Sequence, residues 1–487
     1  MLLGRLVNAA RGSLPGAQAS LPWGAAMASR TISKDVTQAG LQQREVAAAA
    51  AGGWRRWGRR EWAAGGGGAL VSCGTVTRCQ TSARLATQAS QSQEACRERG
   101  PRDVSQVERG DRTVNVTFAD TTTSDYPYVW LRENCQCPKC FQSDAIARLF
   151  LIDDLDINIR PKEVQVEDAS RLRVEWPDGH VSVFAGEWLH RRAFTPEARD
   201  VQRSWYMLPK VLWGTGFKVP RSRYSAVMHE DRALLDWLLL LEKFGVTVVE
   251  AAPTRVGAIN DFIERLGVLK PTHYGKDYEI KTELKPNNLA YTGAKLGLHT
   301  DLPYCEYPPG TTWLHCIRQY EGKGGENDLS DGFLAVQVLK ERHPHHFETL
   351  VTTPIYFQDQ GYALYDFDKV TQAFTVSLDH LGNACRIHVS SQARDSIMDL
   401  DAAEVIRFYE ALKIFNDILR EFSILVKTKP GDILVIDNTR VLHGRTPFDP
   451  STSQGTRHIH NAYIDLDDLR SKRRILQEKL GDMVAKV

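Results

Sequence analysis

His299 and Asp301, in the stretch "LGLHTDLPY", stand two residues apart with Pro303 close behind. At that spacing an imidazole and a carboxylate share one face of a strand, whereas on a helix they point to nearly opposite sides. At a strand end both could hold one metal ion. The triplet alone is weak, since a chain with 14 histidines yields roughly one H-x-D by accident. A second one, His229 to Asp231, opens the Leu-rich stretch "HEDRALLDWLLLLEKFG". There Asp231 suits the positive end of a helix and reads as structural. His299 and Asp301 instead follow "NNLAYTGAKLGL" and precede a proline, as a strand end does.

A third ligand should come from a distant strand. "PGDILVIDNTRVLHGR" offers a Pro-Gly turn, the apolar strand Ile433 to Ile436, and then His443-Gly444-Arg445. Two histidines and a carboxylate form a facial triad suited to Fe(II), with positions left open for a chelating cosubstrate and O2. Arg457 comes fourteen residues after His443, and its guanidinium fork suits a distal carboxylate. His343, His345 and His346, in "ERHPHHF", lack a paired carboxylate and read as surface.

A second cluster lies far upstream. "NCQCPKC" gathers Cys135, Cys137 and Cys140, and zinc favours such thiolates in a closed four-ligand site. His180, in the turn "WPDGH", is the candidate fourth ligand. A Cys3His site would staple a small module with little core of its own. The alternative is three free thiols in a loop. No basic stripe surrounds the cluster, so nucleic acid is not an expected partner.

These residues need elements to carry them. The chain has 487 residues, a formal net charge of +1, 42% apolar residues and nine cysteines in no regular framework. That excludes a polyanion-binding charge balance and a disulfide scaffold. No run of eighteen apolar residues exists, so no membrane span is expected. Residues 1–105 are Ala-, Gly-, Arg- and Ser-rich, and their first acidic residue is Asp35. This segment reads as disordered or as a mitochondrial targeting sequence, with a cytoplasmic protein as the alternative. Residues 106–205 alternate apolar and polar residues and read as a β-rich zinc-binding domain, strand-like to about Val201. Residues 206–487 form the larger domain. A helix ends at Gly245 before the buried strand "VTVVE", short strands dominate onward to Tyr463, helices fall near 333–350 and 401–422, and a charged helix closes the chain.

Taken together, "YPYVWLRENCQCPKC", "WPDGHVSVF", "NNLAYTGAKLGLHTDLPYCEYPPG" and "IDNTRVLHGR" resemble the gamma-butyrobetaine dioxygenase family. This is an Fe(II)/2-oxoglutarate family that also includes trimethyllysine dioxygenase. The resemblance covers residues 107 to 475 and implies a mainly β fold with α. Its catalytic domain would be a double-stranded β-helix of jelly-roll type, beside a small zinc-stapled domain. It implies iron at His299, Asp301 and His443, and zinc at Cys135, Cys137, Cys140 and His180. Arg457, helped by Asn327, would hold 2-oxoglutarate, with ascorbate keeping the iron ferrous. Tyr274, Tyr278, Tyr291 and Tyr463 match an aromatic cage for a trimethylammonium group, and Asn288 matches a residue that binds the substrate carboxylate. The implied reaction hydroxylates gamma-butyrobetaine at C3 to L-carnitine, with succinate and CO2 as coproducts, in a homodimer. Two positions depart from the family. Tyr278 stands where its best-known members have tryptophan, and Ser390 where they have a second carboxylate-binding asparagine. Both touch substrate recognition and neither touches the iron site. The rivals are the same chemistry on trimethyllysine or another quaternary-ammonium acid, and a non-catalytic jelly-roll scaffold.

Overall fold

A computed structural model describes residues 100–281, 289–450 and 457–481. The segment read as disordered or targeting, up to residue 99, and Asn288, expected to meet the substrate carboxylate, lie outside the described residues.

Two antiparallel three-stranded sheets build the amino-terminal part. One runs Val104–Arg109, Thr113–Phe118 and Thr123–Pro127; the other runs Glu163–Glu167, Arg171–Glu175 and Val181–Ala185. In Thr113–Phe118 every second residue is buried, the pattern of a sheet with one face on a core. Val114, Val116, Phe118, Leu172, Val174 and Phe184 meet there with Trp176. The module therefore has a hydrophobic core besides its cysteine cluster, contrary to the expectation of a domain with little core. The strand texture also stops earlier than expected, because Pro196–Tyr206 is a helix. Thr195 accepts the backbone N–H of Ala198 at 3.2 Å, and Pro196 occupies the first turn. Capping residue and proline outrank the local alternation.

In the larger part a six-stranded sheet has the order Asp277–Lys281, His458–Ile464, Thr311–Arg318, Ile433–Asp437, Val246–Glu250, Arg221–Arg223. A four-stranded sheet has the order Leu296–His299, Val441–Arg445, Asn327–Asp331, Ile424–Val426. Helices Asp231–Phe244 and Ala258–Leu266 pack on the six-stranded sheet through Trp237, Phe262 and Trp313. Helices Gly332–Arg342, Pro344–Thr352 and Ala402–Glu421 share a core with Leu298 and Leu442 of the four-stranded sheet. The result is a mixed α/β architecture. No helix among the described residues is long and apolar enough to cross a membrane.

Several elements answer directly to sequence signals. The Leu-rich helix ends at Gly245, whose φ of 76° few other residues adopt. The strand Val246–Glu250 starts at once and is buried. Asp401 and Glu404 form a reciprocal capping box at the start of Ala402–Glu421. The helix expected near 333–350 is instead two, because Pro344 cannot donate to the preceding turn and begins a second one. Ala258–Leu266 was not expected. Its buried residues Ala258, Ile259, Phe262, Ile263 and Leu266 have helical spacing, but the run is too short to stand out.

Candidate active site and metal centres

The strands Leu296–His299 and Val441–Arg445 run antiparallel with His299 opposite His443. Gly444 allows this approach, since a Cβ there would lie 2.6 Å from the carbonyl oxygen of Leu296. The two imidazole centroids are 4.3 Å apart. Oδ1 of Asp301 lies 3.4 Å from Nε2 of His299 and 3.5 Å from Nε2 of His443. Nδ1 of His299 is 2.9 Å from the carbonyl oxygen of Gly297. Donation to that carbonyl would leave Nε2 as the free, ligating nitrogen.

Asp301 is held on every side but one. Its Oδ2 accepts from Oγ1 of Thr312 at 2.8 Å and from the Tyr463 hydroxyl at 3.2 Å. Asn438 binds its backbone at both ends. Burial alone would raise its carboxyl pKa, but His443 and His299 hold it well below the usual carboxylate range. An ionised carboxylate oxygen and two imidazole nitrogens, converging within 4.8 Å of one another, are a donor set that one divalent metal ion fits.

The triad borders a cavity of about 410 Å³ between the two sheets, within the range of small-molecule sites. Ile459, Asn461 and Tyr463, which alternate along the strand His458–Ile464 and share one face, all line it, as does Arg457 just before the strand. Arg457 is buried, and among the described residues no carboxylate pairs with it. Burial pushes its guanidinium pKa down to about 10. Arg445 lies close enough that burial, and then the charge of Arg457, lower its pKa to about 9. It donates to the carbonyls of Ala290, Thr292 and Ala294 at 2.6 to 2.9 Å. Arg445 thereby pins the loop that carries Tyr291. Two neighbouring buried guanidiniums make this end of the cavity a place for an anion. Asn327 lines it too, with Nδ2 donating to the carbonyl of Val426 at 3.1 Å.

The opposite wall is aromatic. Tyr274 and Tyr278 rings are 4.8 Å apart, and Tyr278 and Tyr463 rings 6.1 Å apart. The Tyr278 and Tyr463 hydroxyls are 2.7 Å apart, so the position that departs from tryptophan is wired through Tyr463 to Asp301. Tyr291 lines the same cavity. Ser390 also lines it, but its hydroxyl accepts the backbone N–H of Ala393 at 3.1 Å and lies 3.4 Å from Oε1 of Gln392. Gln392 lines the cavity as well, which puts a longer amide beside the short serine.

Sequence reasoning missed Gln392, Asp359 and Asn461 as lining residues. Asp359 is a second carboxylate in the cavity, its pKa raised by burial against a smaller opposing effect of the Tyr304 hydroxyl. The alternation in "RHIHNAY" could have pointed to Asn461; nothing local marks the other two.

In the amino-terminal module, Nε2 of His180 lies 3.3, 3.7 and 3.6 Å from the sulfurs of Cys135, Cys137 and Cys140. A tetrahedral ion with zinc-like bond lengths needs an N···S separation of about 3.5 Å, so the four residues fit one. The turn after Trp176 delivers the histidine, with Gly179 at φ 79° and the His180 N–H bonded to Oδ1 of Asp178 at 2.9 Å. Nη1 of Arg132 lies 3.5 Å from Sγ of Cys140, a buried cation beside a cluster that is anionic when it ligates. Of the other candidates, Asp231 opens the helix Asp231–Phe244 and pairs with Arg265 and Lys479, while His345 is exposed and His343 and His346 are half-buried.

The taurine catabolism dioxygenase TauD, TfdA family profile matches residues 211–463, and the gamma-butyrobetaine hydroxylase-like N-terminal profile matches residues 105–190. Gamma-butyrobetaine dioxygenase from Homo sapiens is 35% identical over 76% of this chain and 96% of its own. The enzyme of that name from Pseudomonas sp. (strain AK-1) is 31% identical over 75% of this chain and 94% of its own. Mitochondrial trimethyllysine dioxygenase from Mus musculus is 29% identical over 73% and 83%. Because both modules match in the same order, and the likeness runs through almost the whole of its human relative, this chain belongs to the gamma-butyrobetaine dioxygenase family.

Proposed function

We propose that the protein hydroxylates gamma-butyrobetaine at C3 to give L-carnitine, consuming 2-oxoglutarate and O2 and releasing succinate and CO2. One observation carries this reading. A single cavity holds the His299–Asp301–His443 triad, a buried Arg457 with no carboxylate partner among the described residues, and a wall of four tyrosines. Each answers one part of the chemistry: a metal, a dicarboxylate cosubstrate, and a cation that cannot donate hydrogen bonds.

Fe(II), when bound with 2-oxoglutarate and O2, supplies the oxidising power for an unactivated C–H bond. The chain's own residues do the rest. Arg457 pairs with the distal carboxylate of the cosubstrate. Asp301 stays ionised, with Thr312 and Tyr463 fixing its second oxygen and leaving Oδ1 to the metal. The tyrosine faces hold the trimethylammonium group, each contributing about 0.5–2 kcal/mol. Gln392, beside Ser390, is placed to meet the substrate carboxylate. Held at both ends, the substrate offers one methylene to the metal, and this positioning supplies selectivity.

The reading extends to a double-stranded β-helix for the two sheets around the cavity, and to structural zinc at the Cys3His site. It also extends to ascorbate as the reductant, a homodimer and a mitochondrial address, which rest on the family resemblance and the acid-free, arginine-bearing start of the chain. Trimethyllysine is the second reading: trimethyllysine dioxygenases are among the relatives of the chain, and a mitochondrial address fits that branch. Tyr278 and Ser390 depart from the gamma-butyrobetaine pattern without pointing to either substrate. Product analysis with 18O2 separates the two. Labelled L-carnitine from gamma-butyrobetaine supports the first reading, and label only in hydroxytrimethyllysine replaces it with the second.

A further inference from the structure

Asn461 is 1% exposed, and neither its Oδ1 nor its Nδ2 has a hydrogen-bond partner among the described residues. An amide buried in that way costs free energy unless something else satisfies it. Its position shows where the partner would come from. It lines the active-site cavity, and it pairs across the sheet with Tyr278 on one side and Leu314 on the other. Side chains directly opposite on neighbouring strands lie about 4.5–5.5 Å apart at Cβ. Tyr463 is two residues along the same strand, about 7 Å away, whereas Arg457 is four residues back, about 13 Å away. Asn461 therefore belongs to the aromatic, cation-binding end of the cavity, not to its anion-binding end.

An amide carbonyl in that place has a chemical consequence. A trimethylammonium group has no N–H to give it, whereas a protonated dimethylammonium group has one. Hydrogen bonds to charged groups are among the stronger kind. The amide can turn about its last torsion to present its oxygen.

We propose that Asn461 is a specificity-determining residue at the ammonium end of the site, and that it admits amino acids whose ammonium nitrogen retains one N–H alongside fully methylated ones. The proposal deepens the substrate reading given above and rests on it. Tyr278, smaller than the tryptophan of the family's best-known members, stands directly opposite and leaves the amide facing the cavity.

The test compares kcat/KM for gamma-butyrobetaine and for 4-(dimethylamino)butyrate in the wild-type protein, Asn461→Ala and Asn461→Leu. Leucine keeps the volume while removing the acceptor, so loss of packing in the alanine variant is controlled. The expected result is that the dimethyl-to-trimethyl ratio of kcat/KM falls roughly tenfold or more in both variants. Calorimetric binding of the two compounds to the anaerobic Fe(II) and 2-oxoglutarate complex should show the same shift in ratio. A ratio unchanged in both variants would overturn the proposal and leave the amide to a buried water. Wild-type protein that neither binds nor turns over either compound would sink the substrate reading itself, and this proposal with it.

Discussion

Asn438 grips Asp301 from both sides of its backbone. Its Oδ1 accepts the Asp301 N–H at 2.7 Å, and its Nδ2 donates to the Asp301 carbonyl at 3.0 Å and to that of Pro309 at 3.0 Å. Asn438 lies in the turn between the strands Ile433–Asp437 and Val441–Arg445, so the segment that delivers His443 also fixes the carboxylate. Leu302, the next residue after Asp301, has φ 53°, a left-handed conformation that side chains with a Cβ seldom take. Asn438→Ala should therefore lower Fe(II) affinity about 10- to 100-fold, as losing an outer support of a metal ligand does. An anaerobic Fe(II) titration reads this directly. Unchanged affinity would mean that the turn alone sets the carboxylate.

Arg457 is buried without a carboxylate partner among the described residues, and burial lowers its pKa. Removing one member of a buried charge pair costs about 2–5 kcal/mol. Arg457→Met should thus weaken 2-oxoglutarate binding roughly 30-fold or more. The same change should raise Tm in the absence of cosubstrate, because an uncompensated buried charge is gone. Calorimetry and thermal melts test the two halves separately. A lower Tm without cosubstrate would show that the guanidinium has a structural partner.

Tyr463→Phe keeps the aromatic face but removes the hydroxyl that bonds Asp301 and Tyr278. Substrate KM should change little, while Fe(II) affinity falls about tenfold. The reverse pattern would place the hydroxyl on the substrate.

His180→Ala should lose one equivalent of zinc and leave the iron titration intact. Metal binding free energy adds to folding free energy, so the amino-terminal module should melt earlier. Its core around Trp176, Phe118 and Val174 should keep it from unfolding outright, and circular dichroism after chelation measures this. Complete unfolding would restore the view of a module held together by zinc alone.

Three buried histidines away from the metal ligands predict an acid limit. Burial, with smaller effects of nearby cations, lowers His273, His315 and His388 to about 4. Unfolding frees each to take up a proton below about pH 6.5. Stability should be fully present above about pH 6.5 and fall as pH drops toward 4. Each histidine contributes a slope of up to about 1.4 kcal/mol per pH unit. Urea midpoints between pH 4 and 8 would reveal it, and a flat profile would contradict neutral burial.

Much of the site was legible because its parts sit on strands, where a two-residue spacing fixes a common face. On a helix the same spacing points two side chains apart, which distinguishes His299–Asp301, at the end of the strand Leu296–His299, from His229–Asp231 at the start of the helix Asp231–Phe244. The apolar strand before it pointed to His443, and guanidinium chemistry at a fourteen-residue spacing pointed to Arg457. The cysteine cluster and His180 were legible from ligand chemistry. Asn461 shares its strand face with Ile459 and Tyr463 and was readable in principle, but an asparagine among histidines carries no chemical flag. Asp359 and Gln392 reach the cavity only through tertiary packing of the strand Pro354–Tyr362 and the turn near Ser390. No local pattern records that. The helix Pro196–Tyr206 is short and fully buries no residue, so its few apolar residues at helical spacing, Ala198, Val201 and Trp205, did not stand out against the strand-like texture before it.

The most direct test of the central claim is succinate release from 2-oxoglutarate under Fe(II) and ascorbate. Gamma-butyrobetaine and trimethyllysine are offered separately, with Asp301→Ala as control. Succinate formed in step with hydroxylated gamma-butyrobetaine, and abolished in the Asp301→Ala protein, is the predicted result. Succinate coupled only to trimethyllysine, or unaffected by the loss of Asp301, would contradict the account.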